Sequence, residues 1–315
     1  MKRTVSELRQ KQSLPLEAKV RMTKMRIEAW YDHFDGDVYL AFSGGKDSTV
    51  LKHIIDSMYD DVPSVFVNTG LEFPELRTFA MRQKNVIRVD PKMKFYDVIE
   101  KYGYPVISKE VSDVVYEARR SLEKDPNANT FRVQRIKGLL KKADGTPSQY
   151  NCPKYAYLLD APFNVSAKCC NYMKKEPLKR YEKETGRKPI IATMTHESRA
   201  RQTSWLKTGC NSFDGKAPMS KPMSFWMEQD VLQYIVENNV ELAPVYGEIK
   251  VNEEGKYYLT GEQRTGCMFC MFGAHLEQAP NRFQRMKETH PKQYDYCLNK
   301  LGIKKVLDYI GVNYE

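Results

Sequence analysis

The stretch Ser43-Gly44-Gly45-Lys46-Asp47-Ser48 decides how this sequence of 315 residues is interpreted. Its two adjacent glycines allow the backbone to approach an anion closely, and the hydroxyls of Ser43 and Ser48 add hydrogen-bonding groups. An apolar helical pattern follows the stretch, so the N-terminus of a helix would point at the same anion. A carboxylate beside phosphates indicates a bound divalent cation such as Mg²⁺, which gives Asp47 a role. The stretch therefore predicts a phosphate-binding loop.

Short β-type runs alternate with helical patterns around this loop. Residues 37–42 precede it, and residues 64–68 and 85–89 form two further runs, separated by a helix that begins near Pro74. Residues 189–194 are a candidate for another strand. Strands that alternate with helices predict a parallel sheet that is covered on both faces. We therefore expect an α/β fold.

The rest of the chain shows mainly helical patterns. Apolar spacing predicts leading helices, and residues 111–122 and 131–142 predict helices in a basic region. We interpret the basic residues of 131–142 as a solvated helix face rather than a nucleic-acid contact. The organisation that we predict is listed in chain order: N-terminal helices over 1–36, an α/β domain over 37–240 with a basic helical insertion at about 105–150, and a C-terminal part over 241–315.

Composition and charge restrict the class of protein. Hydrophobic residues make up 41% of the chain and charged residues 29%, which excludes a mainly disordered or fibrous protein. The net charge of +10 favours polyanionic partners such as nucleotides or nucleic acid. No apolar run approaches the roughly 18 residues needed to span a bilayer, so we expect a cytoplasmic protein with no membrane partner. Seven cysteines in a reducing compartment indicate metal binding or thiol chemistry rather than disulfides.

Several motifs together resemble the phosphoadenosine/adenosine phosphosulfate reductase family of the ATP pyrophosphatases, also called adenine nucleotide α-hydrolases. The hexamer at 43–48 matches the pyrophosphate-binding loop of that superfamily, and Asn68-Thr69-Gly70 is similar to a family segment near the nucleotide. The resemblance implies that the loop holds the β- and γ-phosphates of ATP while an acceptor attacks the α-phosphorus. It also implies that Thr69 and Gly70 lie near the nucleotide.

The cysteines carry the second part of this resemblance. Cys169-Cys170 and the later pair in Cys267-Met268-Phe269-Cys270 are similar to the ligands of a [4Fe-4S] cluster in the iron–sulfur branch of the family. Four thiolates also suit structural zinc, which stays the alternative metal. Cys210 is an alternative to Cys169 as the fourth ligand.

Two arginines lie between the cysteine pairs, in Glu197-Ser198-Arg199-Ala200-Arg201. We predict that Arg199 and Arg201 bind nucleotide phosphates, because a planar guanidinium donates two parallel hydrogen bonds to phosphate oxygens. Arg201 matches the family spacing better. Together with Lys46 and Asp47, we predict Arg201 as a catalytic residue.

Two features depart from the sulfonucleotide reductases of this family. No cysteine follows Cys297, so the C-terminal reductase nucleophile is missing, and the phosphate loop keeps the form that suits ATP. We therefore expect an enzyme that adenylates an acceptor for sulfur transfer to tRNA, DNA or a small molecule. A cysteine desulfurase or a thioredoxin-like protein would supply sulfur or electrons. The alternatives are a thioredoxin-dependent sulfonucleotide reductase and a non-catalytic, nucleotide-gated protein that senses redox state or nucleic acid.

Overall fold

The computed structural model describes residues 3–215 and 217–315. The chain divides into two compact units, and each is assembled from separate stretches. Unit 1 contains the residues up to 68 together with 72–90 and 177–265. Unit 2 contains residues 69–71, 91–176 and 266–315.

The regular elements are numbered in chain order. The strands are β1 (Val38–Phe42), β2 (Ser64–Val67), β3 (Val86–Val89), β4 (Val106–Ile107), β5 (Lys188–Ile190), β6 (Asn211–Ser212), β7 (Met219–Ser220), β8 (Ile249–Val251), β9 (Tyr257–Leu259) and β10 (Met271–Phe272). The α-helices are α1 (Val5–Gln12), α2 (Leu16–His33), α3 (Lys46–Asp56), α4 (Pro74–Arg82), α5 (Phe95–Tyr102), α6 (Lys109–Lys124), α7 (Phe131–Lys137), α8 (Lys168–Cys170), α9 (Glu176–Thr185), α10 (Arg199–Thr208), α11 (Glu228–Glu237), α12 (Arg282–Thr289), α13 (Pro291–Asp295) and α14 (Ile303–Ile310).

Unit 1 is built on a six-stranded sheet with the order β3-β2-β1-β5-β7-β6. All neighbouring pairs are parallel except β6 and β7, which are antiparallel. The central strand β1 places Leu40 opposite Ser64 on one side and Ile190 on the other. Its first three residues are fully buried, as expected for a parallel strand that is covered on both faces. The predicted α/β fold with a parallel sheet is confirmed.

Two elements are shorter in the structure than the sequence predicts. The helix predicted over 131–142 ends at Lys137, because Gly138 adopts a left-handed conformation with φ of 76° and ends the helix. The strand predicted over 189–194 is β5, which ends at Ile190. Beyond it the chain turns, and the N–H of Thr193 donates to the carbonyl of Ile191 at 3.1 Å.

Unit 2 is mainly helical and contains a short parallel pair, in which β10 lies beside β4 with Met271 opposite Val106. Gly103 fixes the chain just before β4: its φ is 101°, and a Cβ atom would lie 2.2 Å from the carbonyl carbon of Asn164. The backbone at Tyr104 hydrogen-bonds to Asn164 and Ser166, which leads directly into the first cysteine pair. Within the described ranges, no helix is both long and apolar enough to cross a membrane.

Candidate functional site

The predicted phosphate loop joins β1 to α3 in unit 1. Gly44 has a φ of 73°, and a Cβ atom there would lie 3.2 Å from the side chain of Leu76. The loop is held by its own hydroxyls: Ser43 Oγ and Ser48 Oγ are 3.0 Å apart, and Ser48 Oγ donates to the carbonyl of Gly45 at 2.9 Å. The strand, glycine loop and helix therefore have the local geometry of an anion cradle.

The N-terminus of α3 carries a contact that the sequence analysis missed. The N–H of Lys46, the first residue of the helix, donates to the hydroxyl of Tyr246 at 2.9 Å, and that hydroxyl lies 2.6 Å from Thr265 Oγ1. Tyr246 is fully buried, and burial raises its pKa to about 12, so the hydroxyl stays neutral. The tyrosine oxygen thus accepts a hydrogen bond that a helix N-terminus normally offers to an anion.

The side chain of Lys46 is buried and lies among acceptors of unit 1. Its Nζ is 3.2 Å from the carbonyl oxygen of Gln263, 3.3 Å from Glu228 Oε1 and 3.8 Å from Asp47 Oδ1. A lysine ammonium is a point charge on a flexible stem. Lys46 therefore places a buried positive charge beside one carbonyl oxygen and two carboxylates.

The carboxylate of Asp47 has a feature that is relevant to metal binding. Its side chain is 26% exposed as a whole, yet Oδ1 is buried and has no hydrogen-bond partner within the described part of the chain. Burial raises the pKa of Asp47, Lys46 opposes this rise, Glu228 adds to it, and His196 and Arg201 oppose it. A carboxylate oxygen without a donor, near a second carboxylate, fits the oxygen ligands that Mg²⁺ prefers.

The predicted arginines lie at the start of α10. Ser198 caps this helix by accepting the N–H of Arg201 at 3.2 Å, and the Arg201 guanidinium forms an ion pair with Glu197. Burial lowers the pKa of Arg201, the nearby Arg264 lowers it further, and Asp47 opposes both. The structure therefore brings Arg201 near Asp47 and adds Arg264, which the sequence analysis missed. Arg199 is exposed at the first position of α10.

The predicted nucleotide contacts Thr69 and Gly70 belong to unit 2. Thr69 Oγ1 accepts the N–H of Leu71 at 3.1 Å, and the carbonyl of Leu71 accepts the N–H of Met268 at 2.8 Å. This segment is therefore fastened to the loop that contains Cys267 and Cys270.

The four predicted cysteine ligands lie in unit 2, and they shift the pKa values of one another. The hydrogen bond from Cys169 lowers the pKa of Cys170 against the effect of burial, and Lys109, Lys174 and Lys175 lower it further. The same hydrogen bond raises the pKa of Cys169, and burial and the charges of Cys170, Cys270 and Cys267 raise it further. The shared hydrogen bond thus favours ionisation of Cys170 over Cys169, and the charges of Cys170, Cys267 and Cys270 all act on Cys169.

The second cysteine pair is held by its own set of contacts. The N–H of Cys270 donates to the carbonyl of Cys267 at 3.1 Å, and Arg282 Nη1 donates to the carbonyl of Cys270 at 2.7 Å. Arg282 is itself fixed by an ion pair with Glu277. Burial raises the pKa of Cys270 to about 11, and the charge of Cys267 adds to this effect.

Four interacting thiols have the donor chemistry of an iron–sulfur cluster, and the lysines that favour the Cys170 thiolate suit such ligands. No group of three or more His, Cys, Asp or Glu side chains among residues 3–215 and 217–315 is arranged to hold a metal ion. Among the described residues, the four cysteines therefore match a cluster in donor type and surrounding charge but not in the arrangement of their side chains.

The remaining cysteines lie in other surroundings. Cys210 belongs to unit 1 and lines a cleft of about 470 Å³ together with the basic residues Arg3, Lys11, Arg26 and Lys207. Cys297 is fully buried, and burial raises the pKa of its thiol, as it does for Cys152.

The comparison with protein families identifies the family of the chain. The model of the phosphoadenosine phosphosulfate reductase domain matches residues 37–146 and 153–271, which is most of the chain. The chain belongs to this family. The match includes the phosphate loop, both arginines and all four predicted cluster cysteines.

Two individual proteins of known sequence or structure are also similar to this family member. An uncharacterised protein of Methanocaldococcus jannaschii is 24% identical over 265 residues, which cover 83% of this chain and 46% of that protein. The chain thus spans about half the length of this relative. The crystal structure of a phosphoadenylyl-sulfate reductase from Candida auris, in complex with phosphate, aligns with a TM-score of 0.39 and 14% identity, covering 84% of this chain and 99% of the other.

Proposed function

We propose that this member of the phosphoadenosine phosphosulfate reductase family is an ATP pyrophosphatase that adenylates an acceptor for iron–sulfur-assisted sulfur transfer. The observation that carries the proposal is the buried Oδ1 of Asp47, which lacks a hydrogen-bond partner among the described residues and lies beside Lys46 at the N-terminus of α3. A carboxylate in this position is unfavourable for a bare phosphate and favourable for a phosphate that carries a divalent cation.

The chain's own groups would position ATP as follows. The backbone N–H groups of the loop and the hydroxyls of Ser43 and Ser48 would bind the β- and γ-phosphates. Lys46 would exchange its contact with Gln263 for a phosphate oxygen, and Arg201 and Arg264 would neutralise further charge. Asp47 and Glu228 would hold Mg²⁺, which supplies positive charge to the leaving pyrophosphate.

The proposed reaction has two displacement steps. An oxygen of the acceptor attacks the α-phosphorus of ATP, and the bond from that phosphorus to the bridging oxygen of the β-phosphate breaks. Pyrophosphate leaves with the electron pair, and the acceptor becomes an adenylate ester. The outer sulfur of a donor persulfide then attacks the acceptor atom that bears the adenylated oxygen, the bond from that atom to the oxygen breaks, and AMP leaves with the electron pair. A thioredoxin-like dithiol would supply the two electrons that cleave the resulting disulfide and leave the sulfur on the acceptor. A cysteine desulfurase or a thioredoxin-like protein is the proposed source of sulfur or electrons.

The cysteine site of unit 2 supports the sulfur half of the proposal. Cys169, Cys170, Cys267 and Cys270 would hold a [4Fe-4S] cluster, which supplies a redox and sulfur-binding centre when it is bound. The role of the surrounding groups would be to hold the ligands. Arg282 fixes the second pair, and the hydrogen bond from Cys169, together with the nearby lysines, lowers the pKa of Cys170. The net charge of +10 favours a nucleic acid, tRNA or DNA, as the acceptor.

The nucleotide half is tested by binding. The protein is titrated with ATP, AMP and adenosine phosphosulfate, with and without Mg²⁺, in the wild type and in Asp47→Asn. We expect Mg²⁺ to tighten ATP binding, and we expect Asp47→Asn to abolish this effect. Asp60→Asn is the control, because Asp60 is exposed and its ion pair, at 3.4 Å, is with a lysine that is also exposed. AMP binding as tight as ATP binding, or Mg²⁺ without effect on the wild type, would contradict the proposal.

The sulfur half is tested by anaerobic purification with iron, sulfide and zinc measured on the same sample. About four irons and four sulfides are expected in the wild type and in Cys152→Ala, and their loss in Cys267→Ala/Cys270→Ala. One zinc without sulfide would make the thiols a zinc site and remove the iron–sulfur part of the proposal.

The family match also favours a second candidate, a thioredoxin-dependent sulfonucleotide reductase. Such an enzyme needs a nucleophilic cysteine outside the proposed cluster. Cys297 is fully buried with a raised pKa, which disfavours it as a nucleophile. Release of sulfite from adenosine phosphosulfate would establish the reductase, and loss of that release in Cys297→Ser would assign the nucleophile.

A further inference from the structure

Half of the net charge of the chain is concentrated in one segment of unit 2. Residues 124–154 contain seven lysines and arginines and two aspartates, a net charge of +5 out of +10 for the whole chain. The basic residues are Lys124, Arg132, Arg135, Lys137, Lys141, Lys142 and Lys154. A concentration of this kind on one segment is the electrostatic signature of a polyanion contact.

The same segment exposes two aromatic rings around a buried cation. Phe131 is 54% exposed and Tyr150 is 57% exposed, and each ring centroid lies 5.8 Å from the guanidinium carbon of Arg135. Arg135 itself is 6% exposed and is fixed by its ion pair with Glu110 and by donation to the carbonyl of Tyr150 at 2.9 Å. Both rings are therefore held in place while much of their surface stays in contact with water.

The lysines of the segment are placed on an ordered loop. Asn151 holds the loop closed by donating to the carbonyls of Gly138 and Leu140 at 3.1 and 2.9 Å. Lys141 and Lys142 are exposed beyond this point, and no ion pair among the described residues involves them. The nearby Asp144 accepts two hydrogen bonds from Thr146, which, with the backbone, lower its pKa.

We propose that this surface, formed by Phe131, Tyr150 and the lysines of the 138–151 loop, binds single-stranded nucleic acid. Exposed rings stack on bases and adjacent cations neutralise the backbone, which is how sequence-tolerant single-strand binders work. A duplex keeps its base faces stacked inside, so it offers the phosphates but not the bases to this surface. The sequence alone favoured a solvated helix face for 131–142, and the exposure of the two rings is the observation that changes this interpretation.

This inference rests on the proposed function, because the single-stranded nucleic acid would be the acceptor that the proposed site adenylates. The binding itself needs neither ATP nor a cluster. It is therefore measured separately from catalysis, by fluorescence anisotropy with labelled single-stranded DNA and RNA oligonucleotides and with the matching duplexes, over a series of salt concentrations.

Two variants separate stacking from charge. Phe131→Ala/Tyr150→Ala is expected to weaken single-strand binding about fivefold or more for each ring. Lys141→Gln/Lys142→Gln is expected to lower the slope of log affinity against log salt by about 1.4, because each phosphate neutralised on a single strand contributes about 0.7. The full-length protein is used throughout, and circular dichroism melting verifies that each variant is folded.

Matched controls come from exposed positions elsewhere. Tyr96→Ala/Tyr258→Ala removes two rings that are 41% and 42% exposed, and Lys250→Gln/Lys256→Gln removes two lysines that are paired with glutamates. Both controls are expected to bind like the wild type. No single-strand binding by the wild type at low salt, equal loss in variants and controls, or duplex binding as tight as single-strand binding would each overturn the inference. Loss of binding in the ring variant, together with absence of pyrophosphate release by the wild type, would support the surface and reject the proposed function.

Discussion

Replacing Tyr246 by phenylalanine removes one oxygen from the N-terminus of α3 and leaves the ring in place. The N–H of Lys46 then loses its acceptor, and Thr265 Oγ1 loses the hydroxyl that lies 2.6 Å away. A buried donor without a partner costs about 1–3 kcal/mol. At about 2 °C for each kcal/mol in a chain of this size, the melting temperature of the nucleotide-free protein is expected to fall by about 2–6 °C.

The nucleotide is expected to reverse this loss. A phosphate oxygen in the loop would accept the hydrogen bond from the N–H of Lys46. The variant and the wild type would then have the same free energy of unfolding once ATP is bound. The affinity for MgATP then rises about fivefold or more, because 1.4 kcal/mol corresponds to a factor of ten.

The assay is a thermal melt of both proteins with and without saturating MgATP, combined with a titration of the nucleotide. Tyr258→Phe is the matched control, since Tyr258 lies exposed on β9. An unchanged melting temperature without nucleotide, or a deficit that persists at saturation, would refute the role of Tyr246 as a stand-in for phosphate.

Three further variants test other parts of the structure. Lys19→Met should lower the free energy of unfolding in urea by about 3–5 kcal/mol, because the side chain of Lys19 is 2% exposed and its ammonium lies 2.6 Å from the carboxylate of Asp230. The control Arg21→Met removes an exposed ion pair and should lower the free energy of unfolding by less than about 0.5 kcal/mol. Equal costs would contradict this. Arg282→Met should speed the loss of iron to a chelator, since the cysteine loop loses a donor at 2.7 Å, and unchanged retention would reject its positioning role. Gly103→Ala should cost about 3 kcal/mol or more in thermal melts because of backbone overlap, whereas Gly311→Ala, which has open space, should be milder.

The sequence predicted the parts of the site that depend on neighbouring residues. The phosphate loop needs two glycines, two hydroxyls and a following helix, and all of these lie within a few positions of one another. The cysteine pairs are recognisable for the same reason, because each pair is local. The end of the helix at Gly138 was missed, since the basic residues beyond it continue the helical composition and only the left-handed glycine stops it.

The groups that surround the loop could not be found in this way. Tyr246 lies 200 residues from Lys46, and Gln263 lies 217 residues from it. Neither a tyrosine without a motif nor a backbone carbonyl carries a sequence signal of such a contact. The two units are also assembled from stretches that alternate along the chain, whereas the organisation predicted from the sequence consists of consecutive segments.

The cleavage of ATP at the α-phosphate is tested most directly by product analysis. The anaerobically purified protein is incubated with ATP labelled at the α-phosphate, with single-stranded DNA or tRNA, and with cysteine and a cysteine desulfurase as the sulfur source. AMP, ADP and pyrophosphate are measured in the same reaction. The proposed function predicts equal amounts of AMP and pyrophosphate, which disappear in Asp47→Asn and persist in Asp60→Asn. Formation of ADP and inorganic phosphate, or AMP formation that is unchanged in Asp47→Asn, would contradict it.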